Sequence, residues 1–297
     1  MIYSHVPVML KEIISFLNPK IGEKFIDCTL GGAGYTIAIA ELVGEKGKVL
    51  GIDLDELALE NAARLLKEKK LNNVKLLRSN FKNLDEAAET VFSQGELVDG
   101  IVFDLGLSSF QLDDETRGFS FKGERPIDMS FGSDNELSTE EIINSYSLLE
   151  LTRIFREYGE EKQAYRIAKK IVEVRRKKKI KTTADLCALI EAIIPLRSWL
   201  KIHPATKVFQ ALRMETNKEL EVLTEALKKA EKRLKKGGRL VVVSFHSGED
   251  RIVKNFLRDR KGKSFDILTK KPLNPEVFEI SSNKRARSAK LRAAEKI

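Results

Sequence analysis

Lys24–Leu54 reads KFIDCTLGGAGYTIAIAELVGEKGKVLGIDL. A β-rich run (Lys24–Leu30), a glycine-rich turn, a helix-like stretch (Thr36–Val43) and a second β-rich run (Lys48–Leu54) follow one another. Strand, helix and strand in so short a space make a βαβ unit, whose strands lie parallel across a right-handed connection. Working outward, the pattern repeats. β-rich runs recur at Val74–Arg78 and Val98–Leu105, with helix-like stretches at Glu56–Lys69 and Leu84–Phe92 between them. In the former, Leu59, Ala62, Ala63, Leu66 and Lys69 recur at helical spacing with charges on the other face. The fold class is therefore α/β, a doubly wound and mostly parallel sheet.

The alternation stops after Asp113. From there to about Met214 no strand pattern is convincing. Asp113–Asn135, rich in Gly, Asp, Ser and Arg, reads as loop. Ser138-Thr-Glu-Glu141 is a helix-start signal ahead of an apolar run, and helices are predicted at Leu148–Tyr158, Gln163–Lys178 and Thr183–Ile194. Near Asn217 the α/β pattern resumes. Lys218–Lys236 reads as a long amphipathic helix stopped by Gly237-Gly238, Arg239–Phe245 as a central strand, Glu249–Arg258 as a helix and Phe265–Thr269 as an edge strand. Residues 1–112 and 215–297 are thus expected to form one discontinuous α/β domain, and 113–214 an inserted helical domain.

Bulk properties exclude several classes. Hydrophobic residues make up 42% of the 297, enough for a sizeable core. No run of about 18 apolar residues suggests a membrane span, and Met1–Pro7 lacks the pattern of a signal peptide. Cys28 and Cys187 stand far apart, so a disulfide framework is not expected and a cytoplasmic location is. His5, His203 and His246 show no metal-ligand spacing. A net charge of +9 is compatible with a polyanionic partner without requiring one. The abundance of Lys and Glu speaks to stability in heat.

The turn Asp27-Cys-Thr-Leu-Gly-Gly-Ala-Gly34 closes the first strand. Glycines there let the backbone turn sharply and approach a ligand closely. The second strand ends in Asp53, nineteen residues after Gly34, where a carboxylate can accept both ribose hydroxyls of an adenosine. Two features favour S-adenosylmethionine over NAD. Asp27 opens the loop with an acid able to meet the amino-acid end of the former, directly or through water, and the spacing is not G-x-G-x-x-G. Phe81 follows the third strand, where an adenine would lie, and either stacks on it or fills the core. Asp104 ends the fourth strand beside the switch point where ligands of open sheets bind.

The long words in this chain resemble the family of small-subunit ribosomal RNA methyltransferases that modify a cytidine N4 in the decoding centre. They are His5–Leu10, Asp27–Gly34, Asp104–Phe121, His203–Arg213, Ser244–Lys254 and Asn283–Arg292, and the likeness runs along essentially the whole chain. The resemblance implies the Rossmann-like fold of class I methyltransferases and S-adenosylmethionine as cofactor. It implies cofactor contacts at Gly32, Ala33, Gly34, Tyr35, Asp53, Phe81, Asp104 and Gln111, the last on the resemblance alone. It also implies small-subunit ribosomal RNA or the assembling subunit as partner. Two departures stand out: Ala33 where the family usually has Gly, and Tyr35 where it usually has His. An Ala methyl requires a negative φ at position 33.

Transfer to a cytosine amine is an in-line displacement, governed by alignment and helped by an acceptor for an amine hydrogen. Asp104 is the leading candidate for that acceptor and Asp113 the second. His203 reads as a helix-start residue. His246 stands between a strand-end polar contact and a role in the crevice. The tail Asn283–Ile297 carries six basic residues against Glu295, a pattern suited to phosphate contacts, with an edge strand or packing on the sheet at Ala286–Ala293 as the alternative; Arg175–Lys181 is a second basic run. Arg117, Phe119 and Phe121 offer a loop for gripping RNA and stacking an extruded base. Two other readings compete: a methyltransferase for a small molecule or protein, and a non-catalytic RNA-binding protein. Intact Asp53 and Asp104 speak against the second, and the basic runs against a small substrate.

Overall fold

A computed structural model describes residues 7–107, 118–120, 123–132, 137–197 and 202–297. The chain separates into two compact units: Met1–Ser109 with Leu220–Ile297, and Phe110–Glu219. Numbered along the chain, the helices are α1 (Leu10–Leu17), α2 (Gly34–Val43), α3 (Glu56–Glu68), α4 (Leu84–Glu89), α5 (Thr139–Ser145), α6 (Leu148–Glu157), α7 (Ala164–Arg175), α8 (Thr183–Glu191), α9 (Thr206–Thr216), α10 (Glu219–Arg233), α11 (Ser247–Arg260) and α12 (Val277–Ser282). The strands are β1 (Lys24–Asp27), β2 (Lys48–Asp53), β3 (Val74–Arg78), β4 (Val98–Asp104), β5 (Leu234–Ser244), β6 (Phe265–Ile267) and β7 (Lys290–Lys296).

Among the described residues of the first unit the strands form one sheet, in the order β3-β2-β1-β4-β5-β7-β6. β1 to β5 are parallel, and β7 runs antiparallel to both β5 and β6. The order reverses between β1 and β4, which puts a switch point at their carboxyl ends. Successive residues of a strand face opposite ways. Ile26, Ile52, Phe103 and Val242 therefore pack beneath Leu84, Leu223, Leu227 and Phe256 of α4, α10 and α11. Phe25, Val49, Val102 and Val243 pack on the other side with Ile13, Leu17, Ile39 and Val43 of α1 and α2. With both faces covered, β5 reads as a near-continuous apolar run.

Three features depart from the sequence reading. α1 is not part of that reading, and α9, at whose start His203 stands, has no range in it. Helix α10 stops at Arg233, before the glycine pair, and Leu234 already pairs with Val98. Arg233 is held inside by the carbonyl of Glu96 and the carboxylate of Asp85. Gly237 (φ 78) and Gly238 then serve a register shift opposite Val98–Gly100, a bulge rather than a helix cap. Finally, the C-terminal residues form β7, an interior strand. Arg292 pairs bidentately with Asp250, Lys290 lies 3.7 Å from it, and Lys296 lies over the Phe265 ring. Of the tail's basic side chains only Lys284, Arg285 and Arg287 are exposed. The tail is thus chiefly structural, because its apolar alternation (Leu291, Ala293) meets an open sheet position.

The second unit is helical. Ser138 and Glu141 form the capping box that the sequence signals, and Ser147 with Glu150 makes another at α6. Leu151, Ile154, Phe155, Ile167, Ile171 and Leu212 are buried in it. Arg175 turns inward and donates to the carbonyls of Ile143 and Tyr146, satisfying the end of α5.

Candidate active site

The glycine turn between β1 and α2 is locked from inside. Asp27 is fully buried; Thr36 Oγ1 donates to its Oδ2 at 2.7 Å and the Thr29 N–H to its Oδ1 at 3.2 Å. Burial pushes its pKa up to about 6, with those two bonds pulling the other way. Direct contact between Asp27 and a ligand amine, open in the sequence reading, is closed off. Asp27 shapes the loop instead.

Ala33 is also corrected: its φ is 63°, left-handed. That conformation costs an alanine about 1–2 kcal/mol. Its buried methyl, packed with Leu30 and Ala62, returns about 0.8 kcal/mol of this. At Gly34 the constraint is contact rather than φ, since a Cβ there would sit 2.6 Å from Pro7 Cγ. Gly34→Ala is therefore expected to push the Pro7–Val8 segment away and destabilise the protein by about 1–3 kcal/mol. A thermal melt matching wild type would contradict that close approach.

Asp53, half-buried at the end of β2, accepts from the Gly31 N–H (2.8 Å, Oδ2) and the Asp55 N–H (2.9 Å, Oδ1). It therefore ties the glycine loop to the next strand. Each oxygen keeps a second lone pair, the acceptor set that two ribose hydroxyls need. Burial raises its pKa to about 6 against the lowering effect of the two N–H groups. Phe81, in a short 3₁₀ turn after β3, is partly exposed and meets Phe103 edge-on at 5.7 Å. One edge joins the core and part of the ring stays open.

Asp104 ends β4, its N–H donating to Thr29 Oγ1 at 2.6 Å. Its Oδ1 is buried and without a partner. The phenol of the buried Tyr35 donates to the Val8 carbonyl at 2.6 Å and lies 3.1 Å from Asp104 Oδ2. A phenol has a single hydrogen, and a carbonyl has none to give. That one hydrogen is shared between the Val8 carbonyl and Asp104 Oδ2, so the carboxylate receives only part of a hydrogen bond from it. Burial raises the pKa of Asp104 to about 8; the Tyr35 bond opposes this, and the negative charges of Asp27 and Glu249 add to it. An orphaned buried acceptor costs about 1–3 kcal/mol until a donor reaches it. Such an atom suits a ligand that brings N–H donors or positive charge.

Asp53, the Gly31–Gly34 loop and Asp104 lie at the carboxyl ends of three adjacent strands, β2, β1 and β4. Gln111 and Asp113, with Arg117 and Phe121, lie outside the described residues. His246 is the N-cap of α11: its Nδ1 accepts from the Glu249 N–H at 3.3 Å, which leaves the ring hydrogen on Nε2, 3.1 Å from Glu249 Oε1. His203 accepts from the Ala205 N–H through Nδ1 at 3.1 Å and starts the turn into α9. Both histidines make helix-start contacts. Sequence reasoning did not find Thr29, Tyr35 as a link to Asp104, or Val8. Their only signal is the proximity that folding creates.

The arrangement provides acceptors for a ribose, an aromatic edge for a base and an acid with a buried, unpartnered oxygen for a cationic group, which together fit S-adenosylmethionine. The family model described as the MraW methylase family matches residues 2–297. A protein of Caldicellulosiruptor saccharolyticus named ribosomal RNA small subunit methyltransferase H is 44% identical over 311 residues, covering 99% of this chain and 100% of that one. One of the same name from Kosmotoga olearia is 45% identical over 297 residues, covering 99% and 98%. Among solved structures, an rRNA methylase of Clostridium thermocellum aligns with a TM-score of 0.51 at 17% identity, covering 99% of this chain and 100% of that one, a likeness of fold.

Proposed function

The chain belongs to the MraW methylase family, and from that premise we propose that it methylates the N4 amine of a cytidine in the decoding region of small-subunit ribosomal RNA, using S-adenosylmethionine. The observation that carries this reading is the half-buried acid Asp104, with one buried oxygen unpartnered, at the same sheet edge as the ribose-acceptor set at Asp53. Gly32, Ala33, Gly34 and Tyr35 form the cofactor loop, Asp53 takes the ribose and Phe81 flanks the base. Gln111 is a further contact on family resemblance. The discontinuous α/β part, residues 1–112 and 215–297, binds the cofactor, and the helical part, residues 113–214, recognises the substrate. Among the described residues no helix is long and apolar enough to cross a membrane, in keeping with work in the cytoplasm on ribosomal RNA or the assembling subunit.

S-adenosylmethionine supplies a methyl group activated on a sulfonium. A cytidine N4 that accepts this methyl group must give up one proton. Asp104 in its ionised form takes that proton, and Asp113 is the second candidate. A neutral carboxyl accepts nothing, so Asp104 must first lose its own proton. A cation beside it lowers its pKa and brings this about. Mass mapping of small-subunit ribosomal RNA with and without the gene tests the reading. One cytidine should lose its base methyl group on deletion and regain it with the purified protein; an unchanged map sinks it.

A further inference from the structure

With half of the tail's cations held in β7, a second exposed basic surface lies on α7. The helix buries Ala164, Ile167, Ala168 and Ile171 along one side. The opposite side and the turn that follows carry Arg166, Lys169, Lys170, Arg176 and Lys177 against one acid, Glu173. Lys178 and Lys179 extend it. Arg175, the one arginine turned inward on this helix, is spent on the carbonyls that end α5.

Most of these charges have no counterion. Among the described residues no carboxylate pairs with Lys169, Lys170, Arg176, Lys177 or Lys179. Arg166 touches only the Gln163 amide oxygen at 3.3 Å, and Lys178 reaches Asp185 at 3.8 Å across solvent. Unneutralised like charges on one face repel one another, a cost that a polyanion reverses. From Tyr165 to Lys177 the stripe runs about 18 Å at 1.5 Å per residue, long enough for several successive phosphates. Tyr165 is 51% exposed at the start of the stripe, a flat ring open to solvent.

We propose that this outer face of α7 grips the phosphate backbone of the RNA substrate, with Tyr165 stacking on an unpaired base at its N-terminal end. The assignment rests on the ribosomal RNA reading above. An acidic membrane surface fits less well. A helix that lies in a bilayer turns its apolar side to the lipid, and the apolar side of α7 is turned into the protein core.

The test uses the full chain and protein-free small-subunit ribosomal RNA as probe, with affinity measured from about 50 to 200 mM salt. Replacing Lys169, Arg176, Lys177 and Lys179 by Gln should weaken binding about tenfold or more and flatten the slope of log affinity against log salt by about 3, near 0.7 per lost phosphate contact. Glu173→Lys should do the reverse, tightening binding and steepening the slope by about 0.7. A folding defect cannot imitate that gain. Affinity for S-adenosylmethionine should be unchanged in both variants. Unchanged salt slopes in both would overturn the proposal. So would equal binding of wild type to phosphatidylserine vesicles, lost in the fourfold variant. Failure of the ribosomal RNA reading has its own signature: a wild-type chain that transfers no methyl group to this RNA, whatever the slopes.

Discussion

Removing residues 283–297 is expected to unfold the protein rather than merely weaken its hold on RNA. β7 bonds to β5 from Arg239↔Glu295 to Ser244↔Lys290 and to β6 from Phe265↔Lys296 to Ile267↔Ala294. Leu291, Ala293 and Ala294 are buried between the layers. Each ladder bond contributes about 0.5–1.5 kcal/mol net, and a buried leucine about 1.5–3 kcal/mol more. Their sum rivals the roughly 5–15 kcal/mol by which a whole domain is stable. The bidentate Arg292–Asp250 pair is also lost, leaving a carboxylate that is mostly buried without its partner. Circular dichroism should show no cooperative melt, and the chain should be largely insoluble. The contrasting variant replaces Lys284, Arg285 and Arg287 by Gln. It keeps the strand and should melt within a few degrees of wild type. A truncated chain that melts like the whole one would show that β7 is dispensable.

Asp104→Asn should lower turnover by about a hundredfold to ten-thousandfold, the range for a lost proton acceptor. It should also change the pH dependence of cofactor binding. The ordinary carboxyl value of 3.8 rises to about 8 in the folded protein. Between these limits the folded state binds a proton that the unfolded chain has released, so the stability of the ligand-free protein falls as pH rises from about 4 to about 8. Asp27 and Asp53, raised to about 6, act in the same direction over the lower part of that window. A cationic ligand requires the ionised form. At pH 7, one unit below its value, Asp104 must be ionised at a cost of about 1.4 kcal/mol. Affinity for S-adenosylmethionine should therefore rise up to about tenfold per pH unit toward pH 8 and then level off, with proton release visible by calorimetry in buffers of different ionisation enthalpy. In Asp104→Asn this rise should be much reduced. Equal losses of turnover and affinity in the variant would mean that Asp104 only holds the cofactor and that the proton goes elsewhere.

Much of the architecture is legible in the chain because it is written in short-range rules. β3 occupies Val74–Arg78, the β-rich run read from the sequence. α3 begins at Glu56 behind Asp55, whose side chain accepts from the Leu57 N–H. The box at Ser138 forms with Glu141 three residues on. Each depends on partners within about four residues, so the local sequence contains the whole interaction. The glycine turn and the acids at the ends of β2 and β4 are visible for the same reason, since βα turns fall where the apolar period changes.

Other features are decided only when distant segments meet. Lys290–Lys296 looks like a basic tail until Asp250, forty-two residues away from Arg292, neutralises it and two strands flank it. Asp27 and Asp104 look alike as strand-end acids. Thr36 and Thr29 satisfy the one, whereas among the described residues Tyr35, sixty-nine residues from Asp104, is the only one whose side chain bonds to the carboxyl of the other, which leaves an oxygen bare. The φ of Ala33 comes from the turn that Leu30 and Ile37 close around it. The sequence by itself determined the βαβ order from β1 to β5 and which acids stand at the strand ends, because periodicity and capping are local. Tertiary structure decided which of those charges is buried, paired or left open, because desolvation and pairing depend on atoms that the chain brings together only by folding.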